Sequence, residues 1–253
     1  MKKSVEEQKM NASIIMATFN GAKYVQQQIE SILPYMDSSD ELIISDDGSK
    51  DGTIEIIKKI TKKDNRVLFF DGPHKGIIKN FEFLLSKSSK DIIMFCDQDD
   101  VWLPNKINKI KHFFSANQSV HVLLHDMYIA TNDDINNNTY KKRHFENHYK
   151  KQGFIRNLIY SAYYGCCMAI TKEMKNFLLP FSKYVNMHDQ WIGLVGEFYN
   201  CSYFMQEPLI IHRIHDKNTS HKRPYLTRIK YRLVSFLAFL DKIKTKKKWK
   251  FTV

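Results

Sequence analysis

Three carboxylates, Asp97, Asp99 and Asp100, crowd the end of an apolar run, IIMFC, with only Gln98 among them. Like charges a few ångströms apart shift their proton affinities or require a cation between them. A hard divalent ion such as Mg²⁺ or Mn²⁺ takes oxygen ligands, one or two carboxylates together with substrate phosphates. One aspartate of this group could instead cap a helix starting near Pro104, but capping accounts for one carboxylate and not for three. Metal binding is therefore the expectation. A second acidic pair, Asp46-Asp47, ends another apolar run and is followed by Gly48-Ser49. It can close a tight turn, with glycine supplying the unusual backbone angles, or accept hydrogen bonds from a nucleobase or a ribose.

The elements that would position these groups follow from periodicity. Short apolar runs at 13–19, 41–45, 66–70, 91–96 and 120–126 read as buried strands. Segments with apolar residues at helical spacing lie between them, including AKYVQQQIESIL, a helix opening at Ser49, and the runs 77–87 and 106–114. Strands alternating with helices predict an α/β fold, a Rossmann-like, mostly parallel sheet covered by helices on both faces. Ligands of such sheets bind beyond the carboxyl ends of the strands, and here those ends carry Thr18 to Asn20, Asp46-Asp47 and Asp97 to Asp100. Neither GxGxxG nor GxxxxGK[ST] occurs, so no dinucleotide fingerprint or P-loop is supported. The polar stretch 127–152 is expected to be a loop or lid, Gly165 to open a strand, and LIIHRIH (209–215) to be one more strand.

Composition bounds the rest. The 253 residues suit one domain of 1–220 with a basic tail of 221–253. Of the net charge of +12, residues 222–253 supply +10 through eight Lys and three Arg against one Asp, which leaves the body nearly neutral. That location argues against nucleic acid as a partner. No apolar run approaches the ~20 residues that span a bilayer, and the first fifteen residues are too polar for a secretory signal, so a cytoplasmic location is expected. The four cysteines (96, 166, 167 and 201) show no CxxC spacing and read as reduced thiols without a metal role.

Taken in order, SIIMATFNGAKYVQQQIESIL, LIISDDGSKDGT and DIIMFCDQDDVWLPNKI resemble a family 2 glycosyltransferase of the GT-A fold. DQDDVW resembles the rhamnosyltransferase-like members that build bacterial surface polysaccharides. The resemblance runs from about Ser13 to His215. It implies a nucleoside-diphosphate sugar, UDP- or TDP-linked, held by Thr18, Asn20, Asp46 and Asp47, with Lys79 and Asn80 nearby. It implies Mn²⁺ or Mg²⁺ on Asp97 and Asp99, with Asp97 also on the donor. Family members carry a late catalytic carboxylate, and NMHDQWIGLV places Asp189 there as general base. Its plainer role is a helix N-cap. A YRxHxxN-like segment is matched by HRIHDKN, with His212 in place of Tyr. Arg213 would meet phosphate and His215 the metal, against plain roles as a surface ion pair and a loop histidine. The acceptor implied is a glycan, carried on polyprenyl diphosphate at the inner leaflet, and the transfer inverts the anomeric centre.

Residues 225–244 place Leu226, Ile229, Leu233, Phe236, Leu237 and Leu240 on one helical stripe beside Arg228, Lys230 and Arg232. A basic amphipathic helix of this kind suits an anionic membrane surface, which would make the protein peripheral on the inner face of the cell membrane. The same stripe would also serve to dock the helix on its own domain or on a partner helix. Two further functions compete with the transferase. A DxD phosphatase would carry DxDx[TV] near the N-terminus; residues 97–101 read DxDDV, but they come on the fourth strand, after DDGS. A basic nucleic-acid- or membrane-binding module without catalysis would make use of the basic tail alone. Oligomeric state is not legible.

Overall fold

A computed structural model describes residues 10–140, 143–145, 153–159, 163–216 and 225–245. The chain begins β1 (Ala12–Thr18), α1 (Val25–Ile32), β2 (Glu41–Asp46), α2 (Thr53–Thr61), β3 (Val67–Asp71) and α3 (Ile77–Lys87). It continues β4 (Ile92–Asp97), β5 (Val101–Trp102), α4 (Lys106–Ala116), β6 (Val122–Ala130), α5 (Asn132–Asn137) and α6 (Phe154–Ile159). A 3₁₀ turn at Gly165–Cys167 leads to β7 (Met168–Thr171), α7 (Lys172–Leu178), α8 (His188–Phe198), β8 (Ser202–Arg213) and α9 (Tyr225–Thr245). The strands form one sheet in the order β3-β2-β1-β4-β7-β6-β8-β5.

In β1, β2 and β4 nearly every residue is buried, whichever way its side chain points. Successive side chains of a strand alternate between faces, so both faces of the sheet are covered, as the unbroken apolar runs require. β1 pairs in parallel with β2 and β4, and β2 with β3. The register sets Thr18 beside Asp46, Ala17 beside Asp97 and Asp46 beside Asp71. Four strand ends therefore meet at one edge.

Past β4 the pairing departs from the alternating pattern. β7 enters from the Gly165–Cys167 turn and runs antiparallel to both β4 and β6. β8 is parallel to β6 and antiparallel to β5. β8 also starts seven residues earlier than the apolar run predicts. Its first half carries exposed Gln206 and Glu207 beside Pro208, and its register against β6 shifts around His125 and Asp126, so the polar half reads as loop in the sequence. Two other expectations change for local reasons. The helix expected at Ser49 begins at Thr53, because Asp51 binds the Thr53 hydroxyl and amide and closes a turn first. The expected lid of 127–152 is shortened at its start: β6 continues to Ala130, and a Thr131–Asp134 capping box then opens α5. Residues 141–142 and 146–152 of that stretch, and the lysine run at 246–250, lie outside the described residues.

α9 packs against α6 and α8. Ala238 and Phe239 are buried, Lys242 donates to the carbonyl of Pro180 at 2.9 Å, and Ser235 meets Asn186 at 3.1 Å. Leu233, Leu237 and Leu240, at helical spacing on another side, are 61, 47 and 37% exposed. The helix thus has one docked face and one open leucine face. Docking predicts that Phe239→Ala lowers unfolding stability by about 3–5 kcal/mol through the cavity it leaves. Leu237→Ala should stay within about 0.5 kcal/mol. Urea midpoints of the two variants measure the difference.

Candidate functional site

A cavity of about 640 Å³ opens at the carboxyl edge of the sheet. Seven of the residues singled out in the sequence line it: Thr18, Asn20, Asp47, Asn80, Asp97, Asp99 and His215. Asp46, Lys79, Asp189 and Arg213 are not among its lining residues, and each has a different placement.

Asp46 is fully buried and its carboxylate is satisfied within its own turn. Oδ1 accepts from the amides of Gly48 and Ser49, at 3.0 and 2.7 Å, while Oδ2 accepts from the hydroxyls of Thr18 and Ser49, at 2.7 and 2.6 Å. Gly48, at φ 97°, gives the turn the left-handed residue it needs. Asp47 then faces the cavity and accepts from the amides of Lys75 and Gly76, at 3.2 and 2.7 Å. The Asp-Asp pair is divided, one carboxylate building the turn and the other lining the site. Asn80 is buried on α3. Its Nδ2 donates to the Ser45 carbonyl at 2.9 Å, and its Oδ1 is buried with no hydrogen-bond partner in the protein. Lys79, one residue earlier, points away and pairs with Glu82 at 2.6 Å.

At the end of β4 the three carboxylates take three different surroundings. Burial, and the charges of Asp100 and Asp99, hold the Asp97 carboxyl well above its ordinary range. Burial and Asp100 also raise Asp99, against the opposing pull of His215. His215 Nε2 lies 2.8 Å from Asp99 Oδ2, and its ring stacks on Tyr24 at 4.7 Å. His212 Nδ1 lies 2.8 Å from Asp100 Oδ1. Burial works to lower the His212 pKa, but the Asp100 charge and hydrogen bond outweigh it and hold it up at about 12. Arg213 acts from behind: its Nε donates to the Asp99 carbonyl at 2.8 Å, and its other nitrogens meet Asn132 and Gln27. Two carboxyl groups whose ionisation is this costly, with an imidazole beside them, match the oxygen-rich donor set of Mn²⁺ or Mg²⁺. Asp97, Asp99 and His215 are the residues that could hold such an ion.

Asp189 lies in the first turn of α8, after Met187 at the cap position, and its Oδ1 accepts from the Gln190 amide at 2.7 Å, so the carboxylate also satisfies a free amide at that helix end. It is buried, and its charge contributes to raising Asp97. The Gly165–Cys167 turn runs past it. A Cβ on Gly165 would stand 3.0 Å from His188 Nε2 and 3.9 Å from the Asp189 Cβ, so glycine lets the backbone pass. Several residues escaped the sequence patterns. Gln98, a mere spacer there, accepts from the Phe19 amide at 2.9 Å and donates to its carbonyl at 3.0 Å, tying the ends of β1 and β4 together. Lys106 is buried, 3.7 Å above the Trp102 ring, and donates to the Cys166 carbonyl at 3.2 Å. Its charge at a helix start gave no sequence signal of burial.

Comparison with known proteins matches the model of glycosyl transferase family 2 to residues 13–177. A dTDP-rhamnosyl transferase, RfbG of Shigella flexneri, is 25% identical over 80% of this chain and 72% of its own. WfaP of Escherichia coli, a UDP-Glc:alpha-D-GlcNAc-diphosphoundecaprenol beta-1,3-glucosyltransferase, is 34% identical over 41% of each chain. Among solved structures, S. aureus TarS in complex with UDP-GlcNAc superposes with a TM-score of 0.67 at 17% identity, covering 90% of this chain and 67% of that one. This likeness shows a common GT-A fold. The chain spans 39 and 44% of the length of the first two curated relatives it matches.

The Asp46 arrangement makes a sharp prediction. Asp46→Ala strands two backbone amides and two hydroxyls in a buried turn and should cost at least about 2 kcal/mol of unfolding free energy. The denaturant midpoint measures it.

Proposed function

Because the chain belongs to glycosyl transferase family 2, we propose that it transfers a sugar from a nucleoside-diphosphate donor to a hydroxyl of a glycan, with inversion and with a divalent metal. The observation that carries this reading is the set of carboxylates at the end of β4, raised in proton affinity and open to a cavity of about 640 Å³ that Asp47 and Asn80 also line. The nucleoside lies between the ends of β1 and β2. Asp47 accepts its N–H or O–H groups, and Asn80 lines the same cavity beside it. Asp97, Asp99 and His215 hold Mn²⁺ or Mg²⁺, which when bound supplies positive charge for the departing diphosphate. Arg213 fixes the Asp99 backbone from behind, Gln98 fixes the strand ends, and Asp46 keeps its turn closed so that Asp47 faces the donor.

Asp189 is the general base. It sits beside the Gly165 turn, on the side of Asp97. A carboxylate there accepts the acceptor's proton as its oxygen attacks the anomeric carbon from the face opposite the diphosphate. The TDP-sugar and UDP-sugar donors named for RfbG, WfaP and TarS make these nucleotides the first to test, and the diphosphoundecaprenol acceptor named for WfaP supports a lipid-linked glycan. Work on such an acceptor would take place at a membrane surface. No helix among the described residues is long and apolar enough to cross a membrane. The open Leu233, Leu237 and Leu240 stripe of α9, in the most basic part of the sequence, suits contact with an anionic leaflet instead.

Two measurements test this. A thermal-shift series with UDP and TDP, with and without Mn²⁺, should show one nucleotide stabilising by roughly 2.7 kcal/mol at about 100 times its dissociation constant. Asp99→Asn should lose the metal-dependent part. Asp189→Asn should keep it while turnover falls by about 10²–10⁴-fold. Absence of any shift would sink the donor assignment. Separately, replacing Leu233, Leu237 and Leu240 by Ser should abolish sedimentation with anionic vesicles and leave the nucleotide shift intact. Equal sedimentation would refute the membrane contact.

A further inference from the structure

Asp100, Cys166 and His212 take no part in the transfer just described, yet they converge from three separate elements. Asp100 is fully buried and Cys166 is 2% exposed. The side chain of His212 is 15% exposed and lines the cavity. Asp100 Oδ1 lies 2.8 Å from His212 Nδ1 and 3.3 Å from the Arg213 amide, while its Oδ2 is buried without any hydrogen-bond partner. One ligand atom from each of the three residues (a carboxylate oxygen, the thiol Sγ and an imidazole nitrogen) lies within 4.8 Å of the other two.

We propose that Asp100, Cys166 and His212 form a second metal site, for a thiophilic divalent ion of the Zn²⁺ type, separate from the oxygen-rich Asp97–Asp99 site. An Asp–His ion pair by itself explains Oδ1 but leaves Oδ2 buried and unpaired. The Cys166 thiol hydrogen-bonds to His212 and to Cys167, which sets its sulfur beside the imidazole. Ligand chemistry distinguishes the two sites: sulfur and imidazole together select Zn²⁺-like ions, whereas Mn²⁺ and Mg²⁺ favour oxygen. Tetrahedral Zn²⁺ at about 2.0–2.3 Å spaces its ligands roughly 3.3–3.7 Å apart, so the triad needs to close by no more than about 1.5 Å. Binding exchanges the Cys166 thiol proton and the proton between His212 and Asp100 for the ion. Three protein ligands leave a fourth position for water, and the cavity along His212 is the way in. Occupancy joins the Asp97–Asp100 turn, the end of β8 and the Gly165–Cys167 turn through one ion.

Co²⁺ is the probe, added to the intact protein without nucleotide, because its bond to a thiolate gives a charge-transfer absorption that an all-oxygen site cannot. The site predicts such a band, saturating at about one equivalent, displaced by Zn²⁺ and not by excess Mg²⁺ or Mn²⁺. Cys166→Ser should remove the band. Cys167→Ser and Asp99→Asn should keep it. His212→Gln provides a second route to its loss should Cys166→Ser fail to fold. No band in the native protein, a band that survives Cys166→Ser, or one lost with Asp99→Asn would each overturn the proposal. The readout involves neither donor nor turnover, so its failure is separable from failure of the transferase reading.

Discussion

Repulsion among the three carboxylates at the end of β4 is the constraint around which the second half of the molecule is arranged. Asp97, Asp99 and Asp100 sit in or beside a buried strand, where unscreened like charges are costly. The protein answers with residues 212–215 of β8 and its exit: His212 on Asp100, Arg213 on the Asp99 carbonyl, and His215 on Asp99. That answer depends on register. The short antiparallel pairing of β5 with β8 sets Val101 beside Ile211 and Trp102 beside Ile210, which delivers residues 212–215 to the acidic turn. Residues more than a hundred positions apart are held together by two residue pairs of one strand pairing.

The same economy governs the donor side. A DDGS turn holds two acidic side chains that look equivalent in the sequence, and folding separates them. Asp46 is used up by four hydrogen bonds from its own turn and from Thr18, and so fixes the direction of the next residue. Asp47 keeps one face open to the cavity. Gln98 does comparable work between β1 and β4, so the loops that line the cavity are braced against one another and preorganised.

α9 answers two pressures at once. Its Ala238–Phe239 side closes the core over α6 and α8, and the leucine side remains open. The sequence stripe that put Leu233, Phe236, Leu237 and Leu240 together is divided in three dimensions. Phe236 packs against the core while the three leucines do not. A helix that serves stability on one face is available for a surface contact on the other.

Local pattern was enough for the parallel half of the sheet, because β1, β2 and β4 are continuous apolar runs that end in polar turns, and register then aligns their ends without further information. The acidic cluster and the family were legible for the same reason: the groups that define them lie in contiguous stretches. The antiparallel insertion of β7, the polar first half of β8, the withdrawal of Asp46 from the cavity and the burial of Lys106 were decided by tertiary contacts. Each depends on what a side chain meets from a distant element, and no periodicity encodes that. Cys166 is the clearest instance. As one of two adjacent cysteines without metal spacing it carries no signal, and only the meeting of the Gly165–Cys167 turn with β8 and the end of β4 sets its sulfur beside a carboxylate and an imidazole.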